Sequence, residues 1–439
     1  MDVQPFRGIR YNPSRVEDFD LVVSPPYDVI GGELQAELYR RSPYNVVRVD
    51  YGQVLPEDGP EENRYTRASR LLTGWLAQGV LIREVEPAVY YTEEDYRVEG
   101  ELKTRKGFLA TVRLEGLESG LYRPHEKTLA GPKADRLELT RACRTNLSPI
   151  FSLYDDPAGA TQELVEAVAD RAEPLITVRM DDGVVTRLWR VTDREVLRGI
   201  SETMKGRSFF IADGHHRYET SLAYRDLMRE QNPGFTGREP WNYVLMYFAN
   251  LWAPGLTVLP THRAVFGLRD FELARFLERA GEHLRIEEVT GGVRELKRLM
   301  AWHGARHRFG LAAHGTGRLW LLELRDEAIM ERVAAGAPAV LRTLDVTVLH
   351  SLVLERLLGI DAAAQETQRN LRYFKSTASL LEAVEAGEAQ LGFLLNPTRV
   401  DEVKAVAETG EKMPQKSTFF YPKLVTGLVL NPLYDPETP

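Results

Sequence analysis

Residues 208–220 read SFFIADGHHRYET, and this stretch decides how the chain folds around it. The apolar run Phe209–Ala212 predicts a buried strand that ends at Asp213-Gly214, and a helical pattern follows at once. A strand that turns through glycine into a helix gathers free backbone N–H groups at the positive end of the helix dipole. Together with Arg217, this predicts an anion site, most naturally for phosphate. The helical face is predicted from Tyr218, Leu222, Ala223 and Leu227.

The composition indicates an ordinary globular protein and excludes several classes. The chain has 439 residues, 43% of them hydrophobic, which is enough for two or three domains. Its net charge is −8 and its pI is about 5.8, with no basic stripe, so a nucleic-acid partner is not expected. The single cysteine, Cys143, excludes a disulfide framework and is expected to be a small packed residue.

The chain carries no recognisable membrane signal. Its N-terminus lacks an apolar signal core, and no stretch approaches the ~20 apolar residues of a membrane span. We therefore expect a cytoplasmic protein without a membrane partner. The sequence allows a homo-oligomer.

Alternating strand and helix patterns predict a mixed α/β (α+β) fold. We expect an N-terminal α/β subdomain over residues 1–120 and a phosphate-binding core over 121–265, which holds the HEKT and DGHHR motifs. A C-terminal α/β subdomain is expected over 266–439. No fixed-period repeat or P-loop is present, nor any G-x-G-x-x-G fingerprint.

The DGHHR turn, residues 213–217, has two interpretations. In the first interpretation, four residues of the turn bind phosphate groups, and Asp213 lies near a metal ion or the substrate. In the second, Asp213 caps the helix and both histidines lie on the surface. Positive side chains in a first helical turn oppose the dipole, and a bound anion would offset that cost, which favours the first interpretation. The four predicted phosphate-binding residues are Gly214, His215, His216 and Arg217.

The RPHEKT segment, residues 123–128, is a second candidate. His125 and Glu126 are suited to proton transfer, and Lys127 with Thr128 to binding phosphate oxygens. A solvated loop is the alternative, because charge-rich stretches are usually solvated.

Other polar segments could join the same site. Asp28 in the SPPYDVI segment follows a predicted strand, where ligands bind in open α/β sheets, although it could equally cap a helix. His262-Arg263 and Lys416 offer further cations. His303 and His307 share a helical spacing, which is common on surface helices and only weakly suggests zinc.

The sequence Asp-Gly-His-His-Arg after an apolar strand resembles the phosphate-binding motif of the ParB/sulfiredoxin superfamily, and most closely that of its free-serine kinases. With SPPYDVI, RPHEKT, LPTHR and MPQKSTFF, most of residues 5–430 resembles a prokaryotic family long catalogued as a domain of unknown function. The resemblance implies a ParB/sulfiredoxin-like core with nucleotide phosphates over the turn, bound by His215, His216 and Arg217. Sulfiredoxin has a cysteine where this chain has His215, so sulfinic acid repair is not expected.

These observations together predict a nucleotide-dependent phosphotransferase that acts on a small hydroxyl substrate, with free L-serine as one candidate. ATP or ADP would be the nucleotide, and Mg²⁺ would bridge its phosphates, with Asp213 as a candidate ligand. Glu126 or Asp28 would take the hydroxyl proton, with His125 as a further candidate. The predicted substrate-binding residues are Arg123, His262, Arg263 and Lys416. Lys127, Arg123 or Lys416 would bind the substrate carboxylate or the charge that develops on the phosphate.

Two alternatives remain open at this point. One is a nucleotide-binding regulatory or switch protein that hydrolyses NTP slowly and has no small-molecule acceptor. The other is a metal-dependent hydrolase built on the histidines.

Overall fold

A computed structural model describes most of the chain and divides it into two compact units. The described residues are 1–116, 119–120, 122–123, 130–169, 172–301, 307–414 and 416–434. Within them, the first unit takes residues 1–123, 130–257 and 422–434, and the second takes 258–421. The predicted mixed α/β fold class is confirmed.

The first unit is built on a sheet that has nine strands in the described chain. Eight strands follow one another by hydrogen bonding, and the ninth, Val3–Gln4, pairs with Glu101–Arg113. The eight run in the order Tyr122–Arg123, Phe209–Asp213, Ile150–Tyr154, Tyr243–Asn250, Glu101–Arg113, Val89–Val98, Val185–Val191 and Ile176–Arg179. Strands from both sides of residue 120 share this sheet, so the first predicted boundary does not separate two sheets.

Helices and short strand pairs complete the first unit. The helices are Gly32–Arg41, Val47–Asp50, Arg64–Ala77, Ala130–Cys143, Ala160–Ala169, Arg194–Met204 and His215–Gln231. Single 3-10 turns cover Phe19–Leu21, Tyr27–Val29 and Pro240–Asn242. The strand pairs are Ile9–Tyr11 with Leu81–Arg83, and Thr145–Asn146 with Asn431–Pro432.

The core of this unit anchors the helix that starts in the DGHHR turn. Alternating positions of the central strands bury aromatic side chains, and the rings of Phe108 and Phe248 stack with centroids 5.2 Å apart. Tyr218 is fully buried in this core, and its hydroxyl donates to the carbonyl oxygen of Glu115 at 2.9 Å. The first turn of the helix is thereby fixed against the sheet. Ala223, predicted on the buried face, is exposed instead, because Tyr224 takes the inward position one residue later.

The second unit holds a six-stranded sheet whose described strands pair antiparallel throughout. Its order is Leu284–Val289, Leu319–Leu324, Arg308–Ala313, Leu391–Leu394, His262–Val265 and Leu371–Phe374. The strand Phe419–Tyr421 also belongs to this unit, and the strand Thr257–Leu259 starts at the last residue of the first unit's middle segment. The helices are Leu273–Gly281, Gly292–Met300, Ile329–Val333, Ala339–Arg342, Asp345–Val348, Ala362–Glu366, Thr377–Glu385 and Val400–Glu408, with a π-helix over Leu349–Leu357.

Among the helices of the described residues, none combines the length and the apolar character that crossing a bilayer requires.

The close approach of two strands at Gly107 generates a stability prediction. A Cβ atom added at Gly107 would lie 2.4 Å from ring atoms of Tyr247 and 2.6 Å from the carbonyl oxygen of Phe248. We expect Gly107→Ala to lower the free energy of unfolding by about 1–3 kcal/mol, as overpacking does. Gly74→Ala is the matched control, because the nearest atom there is 3.8 Å away and alanine should stabilise the helix by about 0.5–1 kcal/mol. Urea unfolding of both variants checks this, and equal midpoints would contradict it.

Candidate functional site

Gly214 shapes the turn that was predicted to bind an anion. It lies in the left-handed region, with φ 94° and ψ 29°, and is the N-cap residue of the helix His215–Gln231. A Cβ atom at this position would lie 2.9 Å from Nε of Arg217. Glycine is therefore required both by the backbone and by the arginine packed over it. The predicted strand, turn and helix are confirmed here.

Two cations converge on the carboxylate of Asp213. Lys423 donates from Nζ to Oδ2 of Asp213 at 2.8 Å, and Nη2 of Arg217 lies 3.7 Å from the same oxygen. Arg217 also donates to the carbonyl oxygen of Pro149. Burial alone would raise the pKa of Asp213, but Lys423 and Arg217 outweigh it and hold that pKa well below its ordinary value. Asp213 therefore stays ionised and orients both cations.

The net charge of this group favours an anion. Lys423 and Arg217 carry two positive charges against the single negative charge of Asp213, and all three lie at the positive end of a 17-residue helix. Their side chains are 10–21% exposed, so solvent reaches them only in part. A phosphate that reaches this point would meet two cations that share the carboxylate of Asp213, together with the start of a helix.

The two histidines of the turn differ in their surroundings. His215 is buried, whereas His216 is only partly buried. Burial lowers the pKa of His216, with Lys133 and Arg217 acting in the same direction and Glu219 opposing them. Nζ of Lys133 lies 2.9 Å from Oε2 of Glu219. At neutral pH His216 is consequently a neutral hydrogen-bonding group and not a third cation.

The SPPYDVI segment lies near enough to the DGHHR turn for charges in the two segments to act on each other. Asp28 and Tyr27 lie in the 3-10 turn Tyr27–Val29, and the guanidinium of Arg136 lies 4.2 Å from the centre of the Tyr27 ring. Asp28 is exposed and close enough to His216 for its charge to raise the pKa of that histidine. Arg217 likewise lowers the pKa of Tyr27, although burial raises it more. Two segments predicted separately therefore share one electrostatic environment.

A small polar cavity lies behind the turn. Its volume is about 40 Å³, and Asp50, Arg136, Arg217 and Thr220 are among its lining residues. Three buried atoms of its lining residues have no hydrogen-bond partner among the described residues, namely Oδ2 of Asp50, Nε of Arg217 and Oγ1 of Thr220. Such atoms cost about 1–3 kcal/mol each when unsatisfied, and one water molecule needs roughly 10–15 Å³. The cavity is large enough and polar enough for water to satisfy them.

Asp50 differs from Asp213 because its surroundings differ. Arg136 donates to its main-chain oxygen at 2.7 Å, and Nη1 lies 3.4 Å from Oδ1. Burial nevertheless raises the pKa of Asp50, against the opposing effect of Arg136 and Arg217.

Most of the RPHEKT segment lies outside the described residues, so His125, Glu126, Lys127 and Thr128 remain predictions. The backbone of Arg123 is described: it ends the strand Tyr122–Arg123, in register with Phe210 of the strand that leads into the turn. The segment therefore starts beside the DGHHR strand.

The remaining predicted substrate residues lie in the second unit. Arg263 is buried and donates to Nε2 of His350 at 3.2 Å, to the carbonyl oxygen of Lys416 at 3.1 Å and to that of Thr261. Burial lowers the pKa of Arg263 to about 10. Nε2 of His262 lies 3.0 Å from Oγ1 of Thr377, and burial lowers the pKa of His262 to about 4. Arg263 and Lys416 are thus brought together, but through the main chain of Lys416, and a substrate role for these residues stays a prediction.

Metal ligation finds little support in the described part of the chain. Groups of three or more His, Cys, Asp or Glu side chains placed to hold a metal ion are absent there. His307 directs Nδ1 to Oδ1 of Asp345 at 2.8 Å, and His303 lies outside the described residues.

Three residues of this site were not assigned a role from the sequence. Lys423 stands 210 positions after Asp213. Arg136 and Asp50 likewise have no local sequence signal that points to the turn. Only the fold brings them to the turn.

The opposite surroundings of Asp213 and Asp50 predict opposite pH effects. Because the pKa of Asp213 is lower in the folded protein, its contribution is present above the unfolded value of about 3.9 and is lost as pH falls. Asp213→Asn should therefore cost about 1–3 kcal/mol above pH ~4, and less in acid. Because the pKa of Asp50 is raised, Asp50→Asn should gain stability relative to the parent as pH rises from about 4.

Urea unfolding of both variants and the parent between pH 3 and 8 checks these signs. Two difference curves with the same slope would contradict the assigned surroundings of the two carboxylates.

Comparison with known proteins places the chain in a family. No curated protein matches it. Among solved structures it is similar to a conserved hypothetical protein from Pyrococcus furiosus, with 13% identity and a TM-score of 0.34, over 73% of this chain and 95% of that one. It is also similar to a free serine kinase in complex with AMP, with 13% identity and a TM-score of 0.33, over 73% and 92%. SbnI from Staphylococcus aureus, with a C-terminal truncation, is similar at 13% identity and a TM-score of 0.34, over 72% and 85%.

The family described as "Protein of unknown function (DUF1015)" matches residues 3–347. This range includes the SPPYDVI, RPHEKT, DGHHR and LPTHR segments, whereas MPQKSTFF lies beyond it. The resemblance to a family of unknown function is therefore confirmed, and the chain belongs to the DUF1015 family.

Proposed function

We propose that the protein is a nucleotide-dependent phosphotransferase that moves the terminal phosphoryl group of ATP or ADP to the hydroxyl of a small molecule. L-serine is the first acceptor to test. The observation that carries the proposal is the pairing of Lys423 and Arg217 on Asp213, at the start of the helix His215–Gln231. Phosphoryl transfer depends mainly on positioning and charge stabilisation, which such a group supplies.

Each member of the group suits one part of phosphate binding. The guanidinium of Arg217 offers several donors to phosphate oxygens, and Lys423 acts as a point charge beside it. Gly214 has no side chain, so the guanidinium of Arg217 packs directly over the start of the helix. His216, neutral at pH 7, adds a hydrogen bond without adding charge.

The proposed reaction is a single displacement at phosphorus. The acceptor hydroxyl oxygen forms a bond to the terminal phosphorus, and the bond from phosphorus to the leaving nucleotide oxygen breaks. The hydroxyl proton passes to a carboxylate, for which we propose Asp28, because it is exposed and its charge acts on His216 in the turn. Glu126 and His125 remain the other candidates for this step. Lys423 and Arg217 stabilise the charge on the transferred group and on the leaving phosphate.

Asp213 does not fit the role of a magnesium ligand that the sequence suggested. Its Oδ2 accepts from Lys423 and faces Arg217, so a metal ion there would meet two positive charges. Mg²⁺ is commonly bound largely through the phosphates of its nucleotide, with few protein carboxylates. We therefore treat the magnesium nucleotide as the substrate and assign Asp213 to orienting the two cations.

The decisive assay separates this proposal from a regulatory protein with slow hydrolysis. The purified chain is incubated with Mg²⁺ and either ATP or ADP, with and without L-serine and a pool of hydroxy acids. We expect release of the shortened nucleotide that depends on the acceptor, together with a phosphorylated acceptor detected by mass spectrometry. Slow release that is independent of any acceptor would favour the regulatory alternative. The absence of nucleotide binding in calorimetry would refute both.

The two cations should control nucleotide affinity. We expect Arg217→Ala and Lys423→Ala each to weaken binding by about 10–100-fold, because each removes a charge-assisted hydrogen bond of roughly 1.5–3 kcal/mol. Arg141→Ala is the matched control, since Arg141 is half exposed and pairs with Glu138 on the surface. Asp28→Asn should slow turnover and leave affinity within about twofold.

Calorimetry and steady-state kinetics measure these effects, with circular dichroism to verify the fold. Unchanged affinity in a folded Arg217→Ala or Lys423→Ala variant would contradict the site.

A further inference from the structure

We propose that Arg105, held by Glu94, is a positioning residue that sets the amine of Lys423 against Asp213. It acts by fixing the carbonyl oxygen of Pro422, the residue directly before Lys423. This inference rests on the proposed function for its consequence in phosphate binding, but not for its structural content.

Arg105 and Glu94 form a buried, bidentate ion pair. Nε of Arg105 lies 2.6 Å from Oε2 of Glu94, and Nη2 lies 2.8 Å from Oε1. The side chain of Arg105 is fully buried and that of Glu94 is 2% exposed. The hydroxyl of Tyr247 donates to Oε2 of Glu94 at 3.1 Å, which fixes the carboxylate from another side. The guanidinium consequently has a defined plane and direction.

The third nitrogen of this guanidinium reaches the C-terminal segment. Nη1 of Arg105 donates to the carbonyl oxygen of Pro422 at 2.7 Å. Lys423 follows and donates to Asp213 at 2.8 Å. A peptide carbonyl held in one place restricts the position of the next Cα atom, and so sets the point from which the side chain of Lys423 reaches toward Asp213.

Arg105 also contacts the strand beside Asp213. Its guanidinium carbon lies 4.6 Å from the ring centre of Phe151, and Phe151 is the residue opposite Asp213 in the antiparallel pairing of the two strands. The same guanidinium therefore contacts residues next to both partners of the Lys423–Asp213 pair. This arrangement relates the C-terminal segment to the DGHHR turn through one rigid side chain.

Stability alone is a weak explanation for this pair. Desolvating two charges costs several kcal/mol per ion, and well-packed apolar residues of similar volume are often as stable or more stable. An apolar pair could fill the space but could not donate to the carbonyl oxygen of Pro422. The feature that distinguishes Arg105 from an apolar residue is therefore its hydrogen bond to the carbonyl oxygen directly before Lys423.

The first experiment needs no nucleotide. The rate at which acetic anhydride modifies the Lys423 amine is measured by peptide mass spectrometry in the full chain. We expect the rate to rise at least about fivefold in Arg105→Met, toward the rate in Asp213→Asn, in which the carboxylate charge is absent. Arg113→Met is the matched control, because Arg113 lies on the same strand and pairs with Asp2 at 3.0 Å. In Arg113→Met, the rate of Lys423 modification should equal the rate in the parent.

Leaving Glu94 without its partner could prevent folding, and a second variant covers that case. If Arg105→Met does not give a cooperative thermal transition, the double variant Glu94→Leu/Arg105→Met replaces it, since it leaves neither charge buried alone. An unchanged Lys423 rate in the folded variant would overturn the proposal.

The second experiment tests whether Arg105 acts through Lys423. ATP–Mg²⁺ affinity is measured for the parent, the folded Arg105 variant, Lys423→Ala and their combination. We expect the Arg105 change to weaken binding about tenfold in the parent and less than about twofold when Lys423 is already alanine. A purely structural role would give equal losses in both backgrounds, and that result would overturn the proposal. If the parent binds no nucleotide, the proposed function fails, while the Lys423 modification rate still decides this inference.

Discussion

The carboxylate of Asp213, held between Lys423 and Arg217, is the interaction on which the rest of the site depends. A partly buried carboxylate is costly without partners, and two cations at one oxygen offset that cost. Each cation belongs to a different part of the chain, one to the helix that starts at His215 and the other to the C-terminal segment. The same contact therefore joins the C-terminal segment to the start of the helix and places two cations there.

The backbone around this contact leaves little room for change. Gly214 must adopt a left-handed conformation to start the helix, and Arg217 packs where a Cβ atom would lie. Tyr218, the next residue, enters the core and fixes the helix against the sheet. The turn is thus specified by backbone conformation, side-chain packing and charge at successive positions, which is why a short segment determines so much of the site.

The turn was predictable from sequence because its signals are local. An apolar run, an Asp-Gly pair and a helical pattern lie within thirteen consecutive residues, 208–220. Lys423 and Arg105 had no comparable signal, since a lysine or arginine acquires a partner only when distant strands meet. Ala223 was misplaced because hydrophobicity favoured it over Tyr224, whereas the helix turns the tyrosine toward Trp241 and Leu433. Local propensity predicts elements, and long-range packing selects the partners.

The way in which an anion would bind depends on the carboxylate of Asp213, which already contacts the two cations. Lys423 donates to one oxygen of Asp213, and Arg217 lies 3.7 Å from the same oxygen, so under the proposed function a phosphate would compete with this carboxylate for the two cations. A phosphate would have the advantage of several oxygens and more charge than the carboxylate. The affinity for phosphate would then depend on how far Lys423 and Arg217 must move from their contacts with Asp213. In our proposal, fixing the carbonyl oxygen before Lys423 would limit that movement and would thereby relate the buried Arg105–Glu94 pair to phosphate binding at the turn.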